Sequence, residues 1–88
     1  MTGVKVSVLN PAGIHARPAG MIAKEAAKFK SNIEIEFNSR KVNAKSIMSV
    51  MSLGASKGDD VIIHVNGEDQ ELAQSSLISL FNKGFGEL

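Results

Sequence analysis

The chain has 88 residues, ten Lys and Arg against nine Asp and Glu for a formal net charge of +1, and no cysteine. A chain of this length buries only about 60–65% of the surface exposed when unfolded, which argues against a deep pocket and for a surface site that works against a larger partner. The even charge balance without a run of like charges excludes a nucleic-acid arm, and the lack of cysteine excludes disulfides and thiolate metal sites.

No apolar stretch approaches the roughly 20 residues of a membrane span, so no membrane insertion is expected. Met1-Thr2-Gly3-Val4-Lys5 has neither the basic nor the apolar region of a secretion signal, so the expected location is cytoplasmic. No linker, repeat or low-complexity segment interrupts residues 1–88, which read as a single domain.

Val4, Val6 and Val8 alternate with Lys5 and Ser7, predicting a half-buried strand over 4–9 that Asn10-Pro11-Ala12-Gly13 ends. From 16 to 29, Ala19, Ile22, Ala23, Ala26 and Phe29 recur at helical spacing, with Pro18 suited to the first turn. Ile33-Glu34-Ile35-Glu36-Phe37 and Lys41-Val42-Asn43-Ala44 alternate on either side of Asn38-Ser39 and predict a β-hairpin. Residues 46–53 form a short helix closed by Gly54, and Val61, Ile63 and Val65 mark a fourth strand. Asp69 then precedes a third helix carrying Leu72, Ala73, Leu77, Leu80 and Phe81, which stops at Gly84. Phe85-Gly86-Glu87-Leu88 gives no pattern.

The order βαββαβα with alternating strands predicts an α+β fold, an open-faced β-sandwich: one four-stranded antiparallel sheet with three helices on one face. His64, out of phase with Ile63 and Val65, falls on the water-facing side. With His15 in another element and no cysteine, no metal site or cofactor is expected.

Chemistry concentrates in Gly13-Ile14-His15-Ala16-Arg17-Pro18-Ala19, where a histidine sits between a loop glycine and a helix start. Unsatisfied amides and the positive end of the helix dipole favour an anion there. Arg17 adds permanently charged donors, and no carboxylate lies in the segment to repel an incoming dianion. A second segment begins at Ser46, a preferred N-cap residue, beside Lys45. Phosphate on Ser46 would also sit at a helix start. Met48 and Met51, three apart, suit an adaptable surface patch, since methionine repacks readily against different partners.

Gly-Ile-His-Ala-Arg-Pro and Lys-Ser-Ile-Met…Val-Met-Ser-Leu-Gly resemble the two signatures of the HPr family, the histidine-containing phosphocarriers of the bacterial phosphoenolpyruvate:sugar phosphotransferase system, in their Gram-positive form. The resemblance covers about residues 4–84. It implies that His15 accepts a phosphoryl group on Nδ1 from phosphorylated enzyme I and passes it to the A component of a sugar-specific enzyme II, with Arg17 as phosphate partner. It further implies regulation at Ser46 by HPr kinase/phosphorylase, signalling to a catabolite-control transcription regulator, and a docking patch of Met21, Ile47, Met48 and Met51 beside the histidine. Such a protein is a monomeric phosphorylated intermediate, not a stand-alone catalyst. Gly20, inside the first helix, and Asn38-Ser39 in place of Asn-Gly depart from the family pattern.

Two other classes fit less well. An RNA-binding module with a similar sheet needs stacking aromatics, and Arg40-Lys41-Val42-Asn43-Ala44 has none. By the same resemblance a purely regulatory paralogue would lack the active histidine, so His15, Arg17 and Pro18 together argue against it, whereas a paralogue serving a nitrogen-linked phosphorelay would keep them.

Overall fold

The computed structural model describes residues 3–88; Met1 and Thr2, read above as part of an unsignalled N-terminal segment, lie outside the described residues. The elements follow the expected order: β1 (Val4–Ser7), α1 (Ala16–Ala26), β2 (Asn32–Phe37), β3 (Arg40–Asn43), α2 (Ile47–Met51), β4 (Asp60–Asn66) and α3 (Gln70–Asn82), then a 3-10 turn at Gly84–Gly86. The strands form one antiparallel sheet in the order β1-β4-β2-β3.

Alternation decides the two faces. Val6, Ile33, Ile35, Val61, Ile63 and Val65 point into the core, where Ala19, Ile22 and Ala26 of α1, Val50 of α2 and Ala73, Leu77 and Phe81 of α3 meet them. On the opposite face Glu34 is exposed, and His64 and Glu36 are half-buried and joined from Nε2 to Oε1 at 2.7 Å. Helices therefore cover a single face, as the sequence predicts.

The hairpin turn departs from its usual residues without changing its geometry. Asn38 and Ser39 both take left-handed φ angles, 53° and 65°, the pattern of a type I′ turn, which asparagine tolerates and serine adopts at some conformational cost.

Three local expectations need correction. β1 stops at Ser7, two residues short of the predicted strand, although Val8 still donates from N to Asp59 O at 2.9 Å. α1 ends at Ala26, and Phe29 packs against the core from a turn closed by its N to Ala26 O at 3.1 Å. Leu72 is 70% exposed. It precedes Ala73 by one residue, about 100° around a helix, and so falls off the Ala73, Leu77 and Phe81 stripe.

Candidate functional site

Residues 10–15 form a braced loop. Asn10 O accepts from Gly13 N at 3.1 Å, while Asn10 Nδ2 donates to Gly13 O at 2.6 Å. Gly13 has φ +70°, and a Cβ there would stand 2.7 Å from Ala55 O, so both conformation and space call for glycine. Ile14 N donates to the same Ala55 carbonyl at 3.0 Å, linking the start of α1 to the loop that follows α2.

His15 is the N-cap of α1: its backbone is extended, and its carbonyl accepts from Ala19 N at 3.0 Å. Its side chain makes no capping bond, which leaves the imidazole available for other work. The ring is 42% exposed, enough to be reached by another protein. Pro18, buried in the first turn, occupies a position whose amide would have had no intrahelical acceptor.

The sequence segment around His15 has no carboxylate, but the fold supplies one. Glu87 lies 72 positions away, and its Oε2 and Oε1 stand 3.0 and 3.2 Å from His15 Nε2. Arg17 Nη1 donates to Glu87 Oε2 at 2.9 Å and to Phe85 O at 3.3 Å. Asn10 Nδ2 donates to Glu87 Oε1 at 2.9 Å. The Asn10 amide first, then His15 and Arg17, hold the Glu87 carboxyl below its ordinary value of 4.5.

The tail residues, which give no sequence pattern, are thus part of the site. Phe85 takes a left-handed φ of 55° yet is 1% exposed, its ring edge-on to Phe81 at 4.9 Å. Burying an aromatic offsets a backbone strain of about 1–2 kcal/mol. A fourth-residue repeat, Phe81 to Phe85, was the available sign that the core stripe continues past Gly84.

Ser46 is the N-cap of α2, its Oγ accepting from Ser49 N at 3.3 Å. Lys45 does not lean toward it, since Nζ donates to Phe29 O at 2.9 Å. Met48 is 75% exposed, Ile47 47% and Met51 37%, while Met21 is half-buried against the core. Among the described residues no group of three potential metal ligands occurs, and no helix is long and apolar enough to cross a membrane.

The sequence model of the family described as "PTS HPr component phosphorylation site" matches residues 3–83. Among solved structures, HPr from Thermoanaerobacter tengcongensis is 44% identical with TM-score 0.94, covering 100% of this chain and 99% of that one. Phosphocarrier protein HPr from Bacillus anthracis is 38% identical with TM-score 0.85, covering 90% and 94%. The catabolite repression protein Crh of Bacillus subtilis, described as a swapped, intertwined dimer, is 39% identical with TM-score 0.77, covering 96% and 97%. A helix start presenting a reachable imidazole beside an arginine, on this sheet order, agrees with those matches: the chain belongs to the HPr family, the phosphocarriers of the bacterial phosphotransferase system.

Proposed function

We propose that the chain, acting as one monomeric domain over residues 1–88, takes a phosphoryl group from phosphorylated enzyme I onto Nδ1 of His15. It then delivers that group to the A component of a sugar-specific enzyme II. The observation that carries this reading is that Nε2 of His15 is engaged by Glu87 while Nδ1 has no hydrogen-bond partner among the described residues. A neutral ring that keeps its proton on Nε2 has its lone pair on Nδ1. In the transfer that lone pair forms the new N–P bond while the bond from phosphorus to the donor breaks. Arg17, its side chain 56% exposed and sharing Glu87 Oε2 with the ring, is the residue proposed to meet the incoming charge.

Ser46 is the proposed regulatory position, phosphorylated by a kinase of the HPr kinase/phosphorylase type and read by a catabolite-control regulator. Its hydroxyl already marks a helix start, where added negative charge is tolerated. Ile47, Met48, Met51 and Met21 are the proposed docking residues, and the exposure of the first three supports this.

The test is incubation with phosphoenolpyruvate and enzyme I followed by mass spectrometry. One phosphate should appear, labile in acid and stable in base, and His15→Ala should abolish it with the fold intact. An undiminished adduct in His15→Ala would overturn the assignment.

A further inference from the structure

We infer that Met48 is a peroxide-sensitive modification site, at which oxidation of the thioether to the sulfoxide weakens docking of the phosphoryl donor and leaves the fold intact. This inference rests on the functional reading above and adds to it a means of regulation that needs no kinase.

The chain contains no cysteine, so within it no thiol takes up oxidant ahead of a thioether. Met21, Met48 and Met51, the methionines among the described residues, are graded by access. Met48 is 75% exposed and Met51 37%, whereas Met21 is half-buried and packed against the core. The grading follows from the seating of α2. Val50, 1% exposed, is the residue that α2 turns into the core, and Met48, two positions earlier, lies about 200° around the helix from it. The Met48 side chain therefore points away from the core and takes no part in its packing.

Exposure alone would make Met48 a site of damage. Its surroundings make it a point of control. Ile47, Met48 and Met51 gather three exposed apolar side chains within the five residues of α2. Elsewhere among the described residues the exposed large apolar side chains, Leu9, Leu72 and Leu88, stand singly along the chain. Oxidation of Met48 thus places a polar group within the proposed docking patch, while Val50 and the Ser46 cap, which seat α2, are untouched.

In the reaction the sulfur lone pair attacks one oxygen of hydrogen peroxide, the O–O bond breaks, and the other oxygen leaves as water. Sulfur gives up an electron pair, which the peroxide takes. The sulfoxide oxygen is a strong acceptor that water satisfies on a free surface and that an apolar interface leaves unpaired. Folding, which leaves this side chain in water, is little affected; association bears the cost. A thiol-dependent methionine sulfoxide reductase removes the oxygen as water and restores the thioether.

The experiment treats the full chain, and its Met48→Leu and Met48→Gln variants, with hydrogen peroxide. Peptide mass spectrometry, with fragmentation that separates Met48 from Met51, should find Met48 oxidised first, Met51 more slowly and Met21 last. The chain oxidised at Met48 should melt as the untreated chain does. Its KM for enzyme I, read through transfer to His15, should rise about tenfold with kcat little changed, the scale of one unpaired polar group at an interface. Met48→Gln, which carries a carbonyl dipole at similar length, should show part of that rise without peroxide. Met48→Leu should give the same KM before and after treatment, and reductase with a thiol should return the oxidised wild type to its starting KM. Oxidation falling first on Met51 or Met21, a lowered melting temperature, an unchanged KM, or an equal peroxide response in Met48→Leu would each overturn the proposal. If the untreated wild type takes no phosphoryl group, the functional reading fails and the docking effect with it, while the peroxide map of the free chain still decides the site.

Discussion

Arg40, the first residue of β3, donates from Nη1 to Ser52 O at 3.0 Å and from Nη2 to Ser52 Oγ at 3.2 Å, so a guanidinium on an edge strand closes the carbonyl end of the helix that begins at Ser46. Five residues make a helix too short to persist alone. Its two ends are held by the Ser46 hydroxyl and by Arg40. Arg40→Ala is expected to cost about 0.3–1 kcal/mol and to speed amide exchange in α2 more than in α1 or α3. Denaturant melts and hydrogen exchange check this; uniform exchange across the helices would contradict it.

Arg17→Ala is expected to slow phosphoryl transfer from enzyme I by roughly tenfold to a thousandfold with little loss of stability, since the side chain is exposed and its proposed role is to meet developing charge. Rapid-quench transfer rates and a thermal melt give the two readings. A wild-type rate would reduce Arg17 to surface charge.

Phosphate on Ser46 is expected to slow acceptance at His15 by weakening docking, because about −1.5 to −2 charges arrive beside Met48 and Ile47. Lys45 is spoken for by Phe29 O, so the added charge is not neutralised unless that ammonium leaves the turn that follows α1. Ser46→Asp should imitate the effect partly, and raised salt should relieve part of it, screening exposed charges beyond a Debye length of about 8–10 Å. The measurement is rate against enzyme I concentration. Equal KM and kcat in all forms would mean that Ser46 is only a cap.

Acid should destabilise the fold through three carboxylates. The Ser76 hydroxyl and then Lys28 hold Glu25 below 4.5, the Ser31 hydroxyl and Lys30 amide hold Asp69 below 3.8, and the Asn10 amide holds Glu87 below 4.5. Each group binds protons less readily folded than unfolded. Its contribution is therefore complete above the unfolded values and is lost as pH falls through the folded ones. Urea midpoints should be level near neutrality and fall below about pH 4.5. Asp69→Asn should flatten that decline, and an equally steep decline would remove Asp69 from the account.

Gly20→Ala should stabilise the chain by about 0.5–1 kcal/mol. A Cβ at Gly20 meets nothing within 4 Å, so the helical penalty of glycine is relieved without a clash. Denaturant unfolding measures it, and an unchanged or lowered midpoint would mean that the glycine serves the fold.

Much of the architecture was legible in local pattern. The alternation of Ile33 with Ile35 and of Val61 with Ile63 and Val65 marks the core face, and Ser46 reads as the cap it is. His15 likewise announces itself by standing between a turn glycine and an apolar stripe. What escaped depends on long-range packing. Glu87 reaches His15 only because α3 lies along the sheet and Phe85 continues its stripe, and no spacing rule joins residues 72 apart. Leu72 misled because a leucine beside a stripe resembles one within it.

Loops ordinarily absorb insertions and deletions with little harm. The two that meet behind His15 have no such freedom. Val8 and Gly58, Val8 and Asp59, and Ile14 and Ala55 are joined by backbone bonds of 2.9 to 3.0 Å, splicing residues 8–14 to residues 55–59 like two threads in a seam. Adding or removing one residue on either side would shift every bond beyond it and carry the imidazole off its helix start. The lengths of these two loops therefore act as a single quantity, and a change in one is expected to be tolerated only with a matching change in the other.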